Sequence, residues 1–465
     1  MKILRKLGIF SLEDFVYACA TTVLSAYVIS ILLMTVLQVF GVGKGLVLSN
    51  RFAFFSLDIQ FPFFLLLCVV LMYLSMFIWV LMGVASIFYN KKEDKIEEDD
   101  SVLISVMIPA HNEEKVIRNI LNDLICQEYK NLEILVLAHN CTDNTIRNAK
   151  SVSDERIKVL DIQTRKSGKA LALNEGLKAA KGKIIAQFDT DNRIKDKKLF
   201  NRAMAYFKNE EIDAIQAELS TSNMYSSILT FLQEVEYDTF SSISWRGRDV
   251  FKLPCFLAGT GIFIRTRVLQ EAEGWTNSLV EDFELFTRLT LENKKIIFAD
   301  NLVVYDEKPP SWSGVMKQRS RWIKGHLRVT WDNLHRFGNW LDYAYRLSPL
   351  SVFAWWASNF LYWFYYLTNQ VSIFNITGWI WLIWTSTFFG FLFYNSIKKR
   401  GWKRALFLPV YWIFGFHWLW CSLYSLGVKS WQETKTVHYG DQNISRPRTV
   451  YDINLLRQLE QGGDQ

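Results

Sequence analysis

Apolar residues form long uncharged runs near both ends of this chain and short periodic runs in its middle. Long runs without a charged residue occupy residues 15–41 and 61–89, and further uncharged runs follow at 347–372, 373–396 and 405–428. Each of the first two exceeds the ~20 residues that a helix needs to cross roughly 30 Å of hydrocarbon. The pattern therefore predicts two transmembrane helices near the N-terminus, a charged middle region, and an α-helical transmembrane region near the C-terminus.

Basic residues cluster beside these uncharged runs, at Lys2, Arg5, Lys6, Lys91, Lys92, Lys398, Lys399, Arg400, Lys403 and Arg404. Cytoplasmic loops of membrane proteins carry an excess of Lys and Arg, so we expect a multi-pass protein of the cell membrane whose middle region is cytosolic. Pro409, Gly415 and Gly427 interrupt the last run. Both a crossing and a re-entrant path therefore stay open for it, as do the number of C-terminal spans and the side of the tail.

The middle region alternates between two hydrophobic periods. Short apolar runs lie at 102–109, 133–138, 157–161 and 183–188, and stretches with helical spacing such as 113–127 separate them. Strands that alternate with helices predict parallel βαβ units and hence an α/β sheet. Ligands of such sheets bind outside the carboxyl ends of the strands, so the polar residues that follow each strand are candidate site residues. They lie in 111–114, 139–143, 166–169 and 189–192.

Two carboxylates follow the fourth predicted strand. Asp189 and Asp191 are separated by one residue, so at the two-residue period of a strand both can face the same side. Adjacent carboxylates repel unless a cation lies between them, and Mg²⁺ or Mn²⁺ bridged to substrate phosphates would supply that cation. An isolated Asp-X-Asp is more often an ordinary acidic turn. The pair therefore indicates a metal site only in combination with the other motifs of the chain.

A second acidic pair and a basic-aromatic box follow farther along the chain. Together with PAHNEE, FDTDN and GTG, the stretches VEDFEL and QRSRW resemble the motifs of family 2 glycosyltransferases; the five occupy 109–114, 188–192, 259–261, 280–285 and 318–322. The flanking uncharged runs make the chain similar to the membrane-embedded, processive members of that family, which synthesise cellulose, hyaluronan and poly-N-acetylglucosamine. The resemblance covers roughly residues 100–430.

The resemblance implies a GT-A fold, which is a Rossmann-like α/β domain that binds a UDP-sugar donor. Pro109, Ala110 and Glu113 match positions that contact the nucleoside. Asp189 matches the aspartate near uridine and ribose, and Asp191 matches the metal ligand, with Mg²⁺ or Mn²⁺ as the expected cofactor. Outside the matched motifs, Lys169 is either a further phosphate contact or a solvated loop lysine.

The resemblance also implies how the reaction is divided among residues. Asp282 matches the general base, which takes the proton of the acceptor hydroxyl while that oxygen attacks the anomeric carbon and UDP leaves from the opposite face. Positioned proton transfer of this kind contributes ~10²–10⁴-fold to a rate. Glu281, Gln318, Arg321 and Trp322 match positions near the acceptor and the departing diphosphate. A guanidinium holds phosphate oxygens through charge-assisted hydrogen bonds, and an indole face offers a sugar an apolar platform.

One stretch departs from the family pattern. The family usually has an acidic residue after the second strand that reads uracil, whereas this chain has His139, Asn140 and Cys141 there. Three alternatives stay open: His139 or Asn140 takes over that role, the backbone suffices, or His139 is a structural loop histidine.

Composition excludes several other classes of protein. Hydrophobic residues make up 50% of the chain, aromatic residues 15% and charged residues 21%, which is too apolar for a disordered chain. The six cysteines are scattered without a Cys-X-X-Cys pair, so neither a zinc cluster nor a disulfide scaffold is indicated. Basic residues in the cytoplasmic loops and at 317–324 account for the net charge of +7, so we expect no nucleic-acid partner.

The sequence thus divides into an N-terminal membrane region, a cytosolic GT-A domain with interface helices, a C-terminal transmembrane region and a tail, at 1–95, 96–340, 341–430 and 431–465. The amphipathic stretches 224–240 and 313–337 are the expected interface helices. For 224–240, packing against the globular domain is an equally good alternative.

We expect an inverting, metal-dependent membrane glycosyltransferase that polymerises a UDP-activated hexose or N-acetylhexosamine into a β-linked polysaccharide. Its partners are then the UDP-sugar, the growing glycan acceptor and the lipid bilayer, across which the product passes; a homo-oligomer is neither required nor excluded. The alternative is a non-processive enzyme that adds a sugar to a membrane lipid. A transporter with a degenerate nucleotide-sugar domain is disfavoured, because Asp189, Asp191, Asp282 and Arg321 are all intact. The donor sugar, the linkage position and the primer stay open.

Overall fold

The computed structural model describes residues 81–90, 92, 95–166, 168–333, 390, 410, 411, 414, 415, 417–428 and 438. The uncharged runs at 15–41 and 347–372 lie outside the described residues, and the other three runs lie only partly within them. Within the described part of the chain, no helix is both long enough and apolar enough to cross a membrane.

A mixed sheet of seven strands forms the centre of the described region, in the order β3-β2-β1-β4-β6-β5-β7. Its strands are β1 (Ile104–Ala110), β2 (Leu132–His139), β3 (Ile157–Ile162), β4 (Ile184–Gln187), β5 (Ala214–Thr221), β6 (Ile262–Arg265) and β7 (Ile296–Asp306). The pairs β1–β2, β2–β3 and β1–β4 are parallel, which confirms the parallel βαβ units predicted from the first four apolar runs. β6 runs antiparallel to β4 and β5, whereas β5 and β7 are parallel.

The described helices are α1 (Ile117–Ile125), α2 (Thr145–Lys150), α3 (Lys169–Ala179), α4 (Leu199–Phe207), α5 (Ile228–Thr239), α6 (Arg246–Val250), α7 (Thr266–Glu271), α8 (Glu281–Leu291), α9 (Trp312–Asp332) and α10 (His417–Ser425). A π-helical turn, Phe240–Trp245, joins α5 to α6. α1 shows why the pattern predicts a helix, since Ile117, Ile120, Leu121 and Leu124 are all buried on one face.

The strand order creates one crevice at the carboxyl edge of the sheet. From β1 the chain continues to β2 and β3 on one side, whereas β4 pairs with β1 on the other side. The ends of β1 and β4 therefore diverge at a switch point, which is where open α/β sheets bind ligands. Because β6 is antiparallel to β4, with Ile262 opposite Gln187, the GTG loop that precedes β6 arrives at this same edge.

Two helices connect the sheet to the C-terminal part of the chain. α5 is enclosed by protein, since even Gln233, Glu234 and Glu236 are at most 1% exposed. This enclosure favours the packing alternative for 224–240 over a helix with a polar face in the membrane interface. α9 begins at Trp312, where the Ser311 hydroxyl accepts a hydrogen bond from the backbone N–H of Gly314, and packs against α10.

Candidate active site

A single lysine joins three of the sequence motifs. Lys169 Nζ lies 2.6 Å from Asp189 Oδ1 and 3.4 Å from Glu281 Oε1, and it donates a hydrogen bond of 2.9 Å to the carbonyl of Gly259. Burial acts to lower the pKa of Lys169, but the neighbouring Asp189 and Glu281 outweigh burial and raise it. The side chain is only 16% exposed, which is not the environment of a solvated loop lysine.

The turn that follows β4 is held against the GTG loop. The backbone N–H of Asp189 donates to Asn192 Oδ1 at 3.0 Å and to Thr260 Oγ1 at 3.1 Å. Gln187, the last residue of β4, donates from Nε2 to the carbonyl of Gly259 at 2.7 Å. These bonds fix the two aspartates relative to β6, which the antiparallel pairing brings to the same edge.

Asp191 lies in the most acidic part of the crevice. Its Oδ2 accepts a hydrogen bond of 3.1 Å from the backbone N–H of Glu307 and lies 3.3 Å from His438 Nδ1. Burial raises the pKa of Asp191 to about 7; His438 lowers it, and the carboxylates of Asp189 and Asp306 add to the rise. An excess of buried negative charge of this kind is what a divalent cation would balance.

The second acidic pair begins helix α8. Glu281 and Asp282 occupy its first turn, where the positive end of the helix dipole favours carboxylates. Asp282 Oδ1 accepts the backbone N–H of Phe283 at 2.8 Å, so Oδ2 faces the crevice beside Gly259. A Cβ at Gly259, whose φ is +75°, would lie 3.0 Å from that oxygen. Burial and the neighbouring Glu281 raise the pKa of Asp282 to about 7, while Lys169 opposes the rise.

Helix α9 brings the basic-aromatic box against the acidic pair. Arg321 donates from an η nitrogen to the carbonyl of Leu279 at 3.0 Å, and its positive charge lowers the pKa of Asp282. The Arg321 Nε is buried with no hydrogen-bond partner among the described residues. Gln318 and Trp322 are half-buried on the same helix.

The predicted nucleoside positions lie at the end of β1. Pro109 and Ala110 pair in register with Leu137 and Ala138 of β2, and the backbone N–H of Glu113 donates to Thr145 Oγ1 at 2.7 Å. These residues therefore lie one strand away from Asp189, on the other side of the switch point.

The residues after β2 that depart from the family pattern are held by hydrogen bonds within the protein. His139 is 4% exposed, and its Nε2 lies 2.7 Å from Thr164 Oγ1. Asn140, at φ +49°, bonds to the backbone of Thr164 through both side-chain atoms, at 2.9 and 3.0 Å. Both residues thus hold the β2 end to the loop after β3, which is the environment of structural loop residues. Asp143 is likewise engaged internally, by Thr145 and by the backbone of Glu114.

The sequence reasoning missed several residues of the crevice. Asp306 is the last residue of β7 and Glu307 follows it, so the rule that polar residues at strand ends form the site applies to this strand as well. Lys308, 1% exposed, is paired with Asp306 at 2.6 Å. His438 lies 247 positions from Asp191 in the sequence, so only the tertiary structure could reveal their contact.

The contact between α9 and the acidic pair can be tested without reference to activity. A Cβ at Gly325 would lie 2.6 and 2.7 Å from the two methyl carbons of Val280, the residue before Glu281. We expect Gly325→Ala to lower the free energy of unfolding by about 1–3 kcal/mol, the usual cost of overpacking. The measurement is urea unfolding.

Val280→Ala provides the matched test. The double variant should lose less stability than the sum of the two single variants, because the smaller side chain makes room for the new methyl group. Additive losses would contradict the contact.

Comparison with known proteins identifies the family of the domain that carries this site. A family model described as "Glycosyltransferase like family 2" matches residues 101–325. The probable glycosyltransferase YdaM of Bacillus subtilis (strain 168) is 27% identical over 349 residues, 70% of this chain and 82% of that protein. A poly-beta-1,6-N-acetyl-D-glucosamine synthase of Staphylococcus epidermidis is 27% identical over 230 residues, 49% of this chain and 55% of that protein. A beta-monoglucosyldiacylglycerol synthase of Nostoc sp. is 29% identical over 230 residues, 48% of each chain.

The alignments differ in how much of each relative they cover. The chain spans most of YdaM but only about half the length of the other two relatives. Among solved structures, the mannosyltransferase PcManGT from Pyrobaculum calidifontis, in complex with GDP-Man and Mn²⁺, has a TM-score of 0.56 at 16% identity and covers 77% of this chain and 98% of that chain. Residues 101–325 are thus a glycosyltransferase family 2 domain in a GT-A-like mixed α/β fold, and the chain is a family 2 glycosyltransferase.

Proposed function

We propose that this enzyme is an inverting, metal-dependent membrane glycosyltransferase that polymerises a UDP-activated hexose or N-acetylhexosamine into a β-linked polysaccharide and passes it across the cell membrane. The observation that carries the proposal is the convergence of Asp282, Arg321 and Lys169 on one crevice at the strand ends. Asp282, whose pKa burial raises to about 7, has two cations, Lys169 and Arg321, acting on it electrostatically, which supports transfer from a sugar diphosphate.

Asp282 is suited to act as the general base. Its Oδ1 is occupied by the backbone N–H of Phe283, so Oδ2 takes the proton from the acceptor hydroxyl. The oxygen of that hydroxyl forms a bond to the anomeric carbon as the bond to the diphosphate breaks on the opposite face, and the anomer is inverted. A base whose pKa lies near the working pH is the most effective.

The departing diphosphate needs positive charge, and the crevice supplies it from two helices. Arg321 lies on α9, and Lys169 is the first residue of α3. Preorganised charges of this kind stabilise the charge that develops on a leaving group without reorganising during the reaction.

Asp191 is the residue that would hold Mg²⁺ or Mn²⁺, and the local charges fit such an ion. Within the described residues, no group of three or more His, Cys, Asp and Glu side chains could hold a metal by itself. This fits a Mg²⁺-like ion, which usually binds one or two carboxylates and takes its other ligands from substrate phosphates and water. When bound, the ion would neutralise charge on the diphosphate.

The proposal and its alternative differ in the acceptor, which is a growing glycan in the first and a membrane lipid in the second. The box at 318–322 packs directly beside the base, where a held sugar chain would present its terminal hydroxyl; this supports the polymer. Similarity to a beta-monoglucosyldiacylglycerol synthase favours the second candidate, transfer of one sugar to a membrane lipid. The uncharged runs at 15–41 and 61–89 suit either acceptor and support a membrane location with a cytosolic catalytic domain.

Incubation of the purified full chain with a panel of UDP-sugars tests the proposal. We expect one UDP-hexose or UDP-N-acetylhexosamine to yield a β-linked polymer, with the product analysed for size and linkage. A single sugar on extracted lipid would establish the alternative, and no transfer from any UDP-sugar would reject both.

The base assignment predicts a pH profile. Asp282 must be deprotonated to accept a proton, and its pKa is raised to about 7, so kcat/KM should rise with pH through about 7 and level off above it. Glu281→Gln removes a negative charge that contributes to the rise, so the midpoint should move to lower pH. Asp282→Asn should bind donor yet lose roughly 10²–10⁴-fold in rate. Near-normal turnover by Asp282→Asn would reject the assignment.

The metal assignment is tested by binding as well as by turnover. Chelation should abolish UDP release, and Asp191→Asn should weaken Mn²⁺ binding in the presence of UDP, measured by calorimetry. We expect a loss of at least ~10–100-fold, the size found for groups that only orient metal ligands. Asp143→Asn is the matched control, because Asp143 lies at the same sheet edge but is bonded to Thr145. Equal losses in both variants would contradict the assignment.

A further inference from the structure

One charged residue of the basic-aromatic box has no part in the chemistry described above. Arg319 is fully buried, at 0% exposure, whereas Gln318, Arg321 and Trp322 around it are half-buried. Its guanidinium is paired with the carboxylate of Glu236 on α5, with a distance of 2.5 Å between the nitrogen and Oε2. A buried ion pair is weak evidence for stability, since the cost of desolvation offsets the attraction, so its position calls for another explanation.

Arg319 contacts the two side chains of the box that we assign to the acceptor. One of its η nitrogens donates a hydrogen bond to Gln318 Oε1. Its guanidinium carbon lies 4.4 Å from the centroid of the Trp322 ring, a cation–π distance. The same guanidinium therefore restrains both the amide of Gln318 and the indole of Trp322.

Glu236 is held in turn by the C-terminal helix. Trp418, in α10, donates from Nε1 to Glu236 Oε1 at 2.8 Å, across 182 positions of sequence. Ser320, the next residue of the box after Arg319, donates from its hydroxyl to the carbonyl of Cys421 in α10 at 2.9 Å. A chain of contacts thus runs from α10 through Glu236 and Arg319 to the acceptor side chains.

We propose that Arg319, Glu236 and Trp418 form a positioning network that fixes Gln318 and Trp322 for the acceptor and makes acceptor binding depend on the C-terminal helix. The inference rests on the proposed function, in which the box at 318–322, and with it Gln318 and Trp322, lies where the acceptor sugar chain is held. Side chains that bind a substrate need partners that lock their rotamers. The network supplies them from α5 and α10, which lie far along the sequence from Lys169 and Asp189.

The conservative variant Trp418→Phe tests the network, because it removes the indole N–H and keeps an aromatic ring. Trp420→Phe on the same helix is the matched control, since the Trp420 N–H has no hydrogen-bond partner among the described residues. The assay uses UDP-N-acetylglucosamine as donor and a β-1,6-linked N-acetylglucosamine tetrasaccharide as acceptor. The readouts are the KM for each substrate, kcat, UDP release without acceptor, and hydrogen exchange of residues 312–332.

We expect Trp418→Phe to raise the acceptor KM by about tenfold, the equivalent of one hydrogen bond to a charged group. The donor KM and UDP release without acceptor should stay within about twofold of the wild type, and hydrogen exchange of α9 should rise. Trp420→Phe should change none of these quantities. Arg319→Lys keeps the charge but loses the planar guanidinium, so it should raise the acceptor KM in the same way.

Two outcomes would overturn the inference. One is an acceptor KM and an α9 exchange rate in Trp418→Phe that match those of Trp420→Phe. The other is an equal rise in donor and acceptor KM, which indicates general damage. Failure of the proposed function looks different: the wild type would transfer no sugar from any UDP-sugar of the panel. Failure of the acceptor role of the box would show as an unchanged acceptor KM in Trp322→Ala. In either case, hydrogen exchange of α9 in Trp418→Phe and Trp420→Phe still tests whether Trp418 stabilises α9.

Discussion

The position of one ammonium group organises the crevice. Lys169 lies between Asp189 and Glu281 and against the Gly259 carbonyl, so it joins elements that are distant in sequence. Carboxylates buried together repel and raise one another's pKa, and a cation among them removes much of that cost. Without it, the turn after β4 and the start of α8 could not lie so close together.

The charged residues around Asp282 differ from those around Asp191, and this difference suits the two aspartates to different roles. Near Asp282, the cations Lys169 and Arg321 oppose the rise in pKa caused by burial, which suits a group that must take up and release a proton. Near Asp191, the neighbours Asp189, Asp306 and Glu307 add negative charge, and His438 opposes it. The negative charge around Asp191 suits a divalent cation that binds together with the substrate diphosphate. Burial is the main cause of the raised pKa in both aspartates, and what differs is the set of charged neighbours around each.

The sheet topology determines which chain segments meet at this place. The reversal of strand order between β1 and β4 opens the crevice, and the antiparallel β6 brings its preceding glycine loop to the same edge. Gly325 then lets α9 approach Val280 and the acidic pair. In the proposed function, Asp189 and Lys169 on the donor side come from the parallel half of the sheet, whereas α9 would supply both Arg321 for the diphosphate and the side chains beside the acceptor.

The sequence by itself determined what depends on local pattern: the first four parallel strands, the helices between them, and the acidic, glycine and basic-aromatic motifs. Period and motif spacing are local properties, so they can be read along the chain. Only the tertiary structure decided that β6 is antiparallel, that Lys169 is paired rather than solvated, that His139 and Asn140 bond to Thr164, and that Arg319 is buried against Glu236. These outcomes depend on contacts between residues far apart in the sequence, such as Lys169 and Glu281, which are 112 positions apart, and no local periodicity encodes them.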